Sequence, residues 1–146
     1  MREEPPALLL SVRPRFAEAI LSGQKTVEVR RRRVAAREGT PVVLYASSPV
    51  MAVVGTAQLE RCENLSVQVA WSSHGHAMGI NRREFDDYLT GTDTACLLFL
   101  TKALPLGAPL PLNDLRSSRA FHPPQSYRYV AESDPTAIRQ LAAQRA

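Results

Sequence analysis

The sequence predicts an α+β chain: a small mixed β-barrel with short helices on its flank. Three observations carry this. Apolar β-patterned runs recur along 146 residues, which is enough chain for one compact core. Short segments with helical spacing interrupt them. The alternation has no βαβ rhythm and no internal repeat, which argues against a doubly wound sheet.

The elements follow in order. After a polar, proline-bearing lead, Ala7 to Val12 (ALLLSV) is a buried-strand run. Pro14 fits the first turn of a helix in which Phe16, Ala17, Ile20 and Leu21 recur at helical spacing until Gly23 stops it. A strand opens at Thr26 and passes into a basic loop reaching Gly39. Pro41 to Ala46 and Ala52 to Leu59 read as two strands joined by the polar turn Ser47-Ser48-Pro49. Leu65 to Trp71 fits a short helix. Asn81 followed by Glu84 has the form of a capping box and opens a helix running through Phe85, Tyr88 and Leu89 to Gly91. Thr94 to Lys102 is a central strand, and Pro105 to Leu115 a Pro/Leu-rich connection. His122 to Val130 reads as a last strand. Asp134-Pro135 begins a terminal amphipathic helix with Ile138 and Leu141 inward. The division expected is a domain over residues 7–131 and a helix over 132–146, packed on it or extending from it.

Residues 23–31, GQKTVEVRR, carry the most chemistry. On a strand Glu28 and Arg30 share one face while Val27 and Val29 point to the other. Lys25 lies at the joint, just past the helix-stopping Gly23, where its side chain can swing over the polar face. A lysine, a carboxylate and an arginine are thus gathered while two valines feed a core. An exposed strand with solvated ion pairs is the alternative reading, and such pairs contribute only about 0–1 kcal/mol. Arg30, Arg31, Arg32 and Arg33 form an unbroken basic run within a chain of formal charge +4. That balance favours an anionic partner such as nucleic acid or a nucleotide.

Other polar residues exclude more than they assign. Cys62 and Cys96 are far apart and lack metal-ligand spacing, and read as buried thiols of a reducing, cytoplasmic setting. His74, His76 and His122 have no accompanying Cys or carboxylate cluster, so no metal site and no cofactor are expected. Trp71 reads as a satellite core residue. There is no nucleophile elbow and no glycine-rich phosphate loop. No apolar run is long enough to span a bilayer.

Gly23-x-Lys25-x-x-Glu28-x-Arg30, preceded by a short helix, resembles the signature of the ASCH domain, a branch of the PUA-like barrel superfamily. Tyr45-Ala46-Ser47-Ser48-Pro49, Val54-Gly55 and Pro124-Gln125-Ser126-Tyr127-Arg128-Tyr129 are also similar to segments of one bacterial ASCH subgroup, so the resemblance covers roughly residues 7–131. It implies a PUA-like barrel that binds RNA or DNA, with the signature lining a cleft between the first helix and the barrel.

On that basis Lys25 and Arg30 would donate to phosphate, and Glu28 would accept from a base amino group or orient a lysine. Arg31, Arg32 and Arg33 would track the backbone. Ser47, Ser48, Gln125 and Ser126 would add polar contacts, and Tyr127 would stack on a base. Each has a plainer alternative: turn formers for the serines, backbone satisfaction for Gln125, a core position for Tyr127 and its same-face partner Tyr129, and a solvated face for the arginines. The expected function is binding of RNA or a nucleotide-like ligand in a basic cleft. The alternative is an RNA-processing enzyme, a ribonuclease or nucleoside amidohydrolase, using Lys25 and Glu28. One ASCH branch is similar to amidohydrolases of acetylated cytidine that use a lysine and a threonine. The lysine falls on Lys25 here, but the threonine position holds Glu28. Oligomeric state is left open.

Overall fold

Leu8–Val12 is five successive buried residues, a pattern that needs cover on both faces, and the fold builds around it. The computed structural model describes residues 6–144; most of the proline-bearing lead and the last two residues of the expected terminal helix lie outside them. The order is β1 (Leu8–Val12), α1 (Pro14–Ser22), β2 (Val27–Arg30), β3 (Pro41–Ala46), β4 (Ala52–Ser66), α2 (Val67–His74), a 3-10 turn (Gly75–Ala77), α3 (Arg82–Tyr88), β5 (Thr94–Pro111), α4 (Leu112–Ser118), β6 (Tyr127–Tyr129) and α5 (Thr136–Gln144).

Among the described residues six strands form one sheet in the order β2-β5-β4-β3-β1-β6. The pair β1–β3 is parallel and the other pairs are antiparallel, so the sheet is mixed. Its two edges are brought together by side chains. Arg30 on edge strand β2 donates to the Ser11 carbonyl on β1 at 2.8 Å and to Ser126 Oγ, beside β6, at 2.9 Å. The sheet is therefore curled into a half-barrel, and the expected mixed α+β barrel with flanking helices is what the chain forms.

Three apolar clusters fill it. One lies inside the curl, with Leu8, Leu10, Leu44, Leu59 and Leu98 beneath Ala17 and Ile20 of α1. A second joins Val27 and Val29 to Phe85, Leu89, Leu97 and Phe99 under α2 and α3. The third packs Leu9, Val43, Phe121 and Ile138 beneath α4 and α5, with Leu141 against it. Ile138 and Leu141 thus face inward, as their spacing predicts. Trp71 is half-buried against the second cluster, with its ring 5.0 Å from that of Phe85.

Several boundaries differ from expectation. Strand β4 runs on to Ser66 rather than stopping at Leu59, and β5 continues to Pro111 through the Pro/Leu-rich stretch read as a connection. Prolines 105, 109 and 111 fit there because the β4–β5 pairing is irregular: Val53 lies opposite Leu110 but Gly55 opposite Pro105. The last strand is three residues, not nine; residues 119–126 run outside regular structure to reach it. His74 ends α2 and Gly75–Ala77 forms a helical turn, where a flexible loop was expected.

Candidate functional site

Gly23, in the left-handed region at φ 85°, ends α1 and returns its N–H to the Ile20 carbonyl. Lys25 is then held by its own N–H on the Ala19 carbonyl at 3.0 Å, and Thr26 by the Ala77 carbonyl at 3.0 Å. The strand that follows splits as the alternation predicts. Val27 and Val29 enter the second core cluster, while Glu28 and Arg30 turn to the α1 side of the sheet.

Lys25 and Glu28 are buried and Arg30 is partly buried, so the three form an ionic triad at the margin of the protein interior and not a solvated surface network. Lys25 is 2 % exposed and Glu28 5 %. Lys25 Nζ lies 3.2 Å from Glu28 Oε1, and Arg30 donates to Glu28 Oε2 through Nε at 3.0 Å and Nη2 at 2.6 Å. Lys25 Nζ also donates to the Met78 carbonyl and sits 4.9 Å from the Phe16 ring centroid. Its three donor directions are thereby engaged. The segment after α2 makes this possible: Gly79 is at φ +68°, and a Cβ there would stand 3.1 Å from the Lys25 side chain. Burial pushes the Lys25 ammonium below its ordinary range, with Glu28 pulling it back up. The triad carries one more positive than negative charge. A guanidinium has five N–H groups; four hydrogen bonds leave one of Arg30's uncommitted among the described residues.

The triad floors a cleft of about 650 Å³. Ser11, Val12, Arg13 and Phe16 form one side, Ser47 and Gln125 the end, and Ile80, Glu84, Asp87 and Tyr88 the far wall. The barrel closure thus brings together Lys25, Glu28, Arg30, Ser47 and Gln125 from three separate stretches, and Ser126 joins them as the Oγ partner of Arg30. The remaining expected residues stand outside the lining. Ser48 is exposed on the turn next to Ser47. Tyr127 packs on the first core cluster, and Tyr129, 37 % exposed, donates its hydroxyl to the Ala35 carbonyl. Arg31 reaches the rim, where Nη1 donates to the Tyr88 carbonyl at 3.2 Å. Arg32 and Arg33 are exposed on the loop beyond.

The far wall is the part the sequence did not disclose. Helix α3 opens with the capping box expected at Asn81: its side chain accepts from the Glu84 N–H at 2.8 Å, and Glu84 Oε1 accepts from the Asn81 N–H at 3.1 Å. Glu84 is also gripped by Arg15 of α1 through two hydrogen bonds of 2.6 and 3.0 Å. The Arg15 contact, followed by the Asn81 N–H, holds the Glu84 carboxyl down at about 2. Glu84, Asp87 and Tyr88 fall three and four residues apart, so one helix face presents all three. That spacing was visible, but nothing local shows that α3 docks against the signature. Three cationic and three anionic residues line the cleft: Arg13, Lys25 and Arg30 against Glu28, Glu84 and Asp87. The lining is thus balanced in charge rather than basic as expected, and the exposed run Arg31 to Arg33 lies on the loop outside it. Among the described residues no three of His, Cys, Asp or Glu gather into a metal-holding group.

Known proteins share this chain's sequence and fold. Residues 7–120 match the model of a family described as a domain of unknown function, DUF365. The chain is 34% identical over 137 residues to a protein of Zymomonas mobilis subsp. mobilis named ASCH domain-containing ribonuclease, spanning 93% of this chain and 92% of that protein. The crystal structure of ASCH from Zymomonas mobilis superposes with a TM-score of 0.85 at 32% identity, covering 97% of this chain and 96% of that one. The N-terminal domain of Staphylothermus marinus McrB shares the fold alone, with a TM-score of 0.59 at 10% identity over 99% of this chain and 96% of that one.

Proposed function

Because this chain belongs to the ASCH family, and to the family the DUF365 model describes, we propose that it acts on RNA and that the triad-floored cleft receives an unpaired nucleotide. The carrying observation is the excess positive charge buried in the floor. A desolvated, uncompensated charge is costly, and an arriving anion offsets that cost. Arg30, with one N–H uncommitted, is the contact for a phosphate oxygen. The volume lies in the range of small-ligand sites. Phe16, Ile80 and Tyr88 give it apolar and aromatic walls suited to a base. Such a base must be unstacked to enter, which favours single-stranded RNA, loops and ends. Arg31, Arg32 and Arg33 lie on the loop leaving β2, and supply backbone contacts to the rest of the strand.

The experiment is a titration of labelled single-stranded RNA into the purified protein and into a Ser47→Phe variant, which fills the end of the cleft. Binding by the first and a large loss in a variant with unchanged melting is the expected result. Equal affinity would move the RNA off the cleft.

A second reading, RNA cleavage, is favoured by the ribonuclease name of the 34%-identical relative. On that reading Arg30 contacts the scissile phosphate and the buried Lys25 adds its positive field from behind Glu28. Glu28, with both oxygens committed to them, holds the two cations in place. Product bands from end-labelled RNA that vanish in Lys25→Met would support it; a stable complex without products would leave binding alone.

A further inference from the structure

We infer that Asp87 and Tyr88 of α3 read the base, and that the base they select is guanine. This rests on the RNA reading above and goes beyond it in naming the nucleotide. The far wall presents two carboxylates. Glu84 is spent: its oxygens accept from Arg15 and from the Asn81 N–H, and its role is to fix α3 against α1. The neighbouring Asp86 is engaged by Arg82 at 3.0 Å on the outer face. Asp87 is different. It lines the cleft, is exposed, and its carboxylate has no hydrogen-bond or ion-pair partner among the described residues. An ionised carboxylate accepts and cannot donate, and it offers two oxygens side by side. Of the four RNA bases, guanine alone presents two adjacent donors on one edge, N1–H and the 2-amino group. Adenine and cytosine set a single amino group beside a ring acceptor. Uracil flanks its one N–H with two carbonyl oxygens, which a carboxylate repels.

Tyr88 stands next to Asp87 on the same wall. The residue is 42 % exposed, and its backbone carbonyl is fixed by Arg31 at 3.2 Å. An exposed aromatic ring at the mouth of a cleft is a stacking platform that tolerates any base. The two residues thus have separate roles. Tyr88 holds a base and Asp87 chooses it, while the positive floor takes the phosphate. The separation of charge across the cleft, cationic on the β2 side and anionic on α3, orients the nucleotide with its phosphate inward along the floor.

The test uses the full chain and uridine hexamers carrying one central G, inosine, A, C or U, at fixed salt. The G-containing hexamer binds about tenfold more tightly than the A, C and U hexamers. Inosine, which keeps N1–H and lacks the 2-amino group, falls between. Asp87→Asn removes the preference while retaining binding, and Tyr88→Leu weakens all five hexamers alike. Asp87 and Tyr88 are both exposed, and unchanged melting of the variants confirms that they fold. Binding of all hexamers without preference, or a guanine preference that survives Asp87→Asn, overturns the inference and leaves the RNA reading standing. Absence of binding to every hexamer overturns the RNA reading itself, and this inference with it.

Discussion

Glu28 is the residue on which the site turns. It pairs with two cations at once, one on each oxygen, and so offsets half of their charge. The consequence is an asymmetry between two substitutions that sequence spacing would rank as equal. Lys25→Met leaves Glu28 paired with Arg30 and substitutes a side chain of similar length, but it orphans the Met78 carbonyl, so it costs about 1–3 kcal/mol. Glu28→Gln leaves Lys25 and Arg30 buried together without their counter-charge, and costs about 3–5 kcal/mol. Urea unfolding of the two variants checks this; equal midpoints would mean the triad is solvated. Glu28 also bears on chemistry. The resemblance to ASCH domains sets it where the branch similar to acetylcytidine amidohydrolases has threonine, and its carboxylate is committed to two cations. The expected outcome is no deacetylation of acetylated cytidine by the purified protein; turnover abolished by Glu28→Ala would contradict it. The face shared by Glu28 and Arg30 was legible from their two-residue spacing. The burial of Lys25 was not, because the group that receives it, the Met78 carbonyl, lies 53 residues away.

Helix α3 is the element that makes a surface into a cleft. Its start was readable, since Asn81 and Glu84 form the capping box their spacing predicts. Its docking was not, because Phe85 and Leu89 pack on strands distant in sequence, and the hitch to α1 is the Arg15–Glu84 pair, 69 residues apart, both ordinary surface residues in sequence. An exposed pair of this kind adds little to stability, so its role is positional. It has a sharp signature in titration. Glu84 is held at about 2 against an ordinary value of 4.5, so the unfolded chain binds this proton more readily than the folded one. The stabilisation it gives is fully present above the ordinary value and is lost as pH falls toward 2. Followed by NMR, the Glu84 carboxyl titrates near 2 in the native chain and moves most of the way back in Arg15→Ala. Titration at the ordinary value in the native chain would mean that α3 is not hitched to α1. The lengths of β4 and β5 were missed for a different reason. Prolines at 105, 109 and 111 look like a break, and only the irregular register opposite Val53 and Gly55 shows how a strand accommodates them.

For the molecule as a whole, curling the sheet places residues from opposite ends of the chain at one seam. Arg30 meets Ser126 across 96 residues, and Ser11 Oγ donates to the Pro124 carbonyl at 2.7 Å across 113. This is why Gln125 and Ser47 reach the same cleft as the signature. Local pattern reveals strands and helices; the seam depends on which strands become edges, and the resemblance to ASCH domains carried that information. Charge is also arranged at this scale. The cleft is balanced overall, while Arg31, Arg32 and Arg33 form a basic flank outside it. Replacing those three with glutamine should lower RNA affinity about equally for all sequences and flatten the salt slope by about 1 for each phosphate no longer held. An unchanged slope in the folded variant would remove the flank from the RNA path.

A crystal structure of the chain with a short single-stranded RNA decides whether the triad-floored cleft receives an unpaired nucleotide. The expected result is one nucleotide unstacked from its neighbours, its phosphate against Arg30 and its base between Phe16 and Tyr88, with the next phosphates following Arg31 to Arg33. RNA lying along the arginine loop and never entering the cleft, or a strand bound on the α4–α5 side of the sheet, would contradict it.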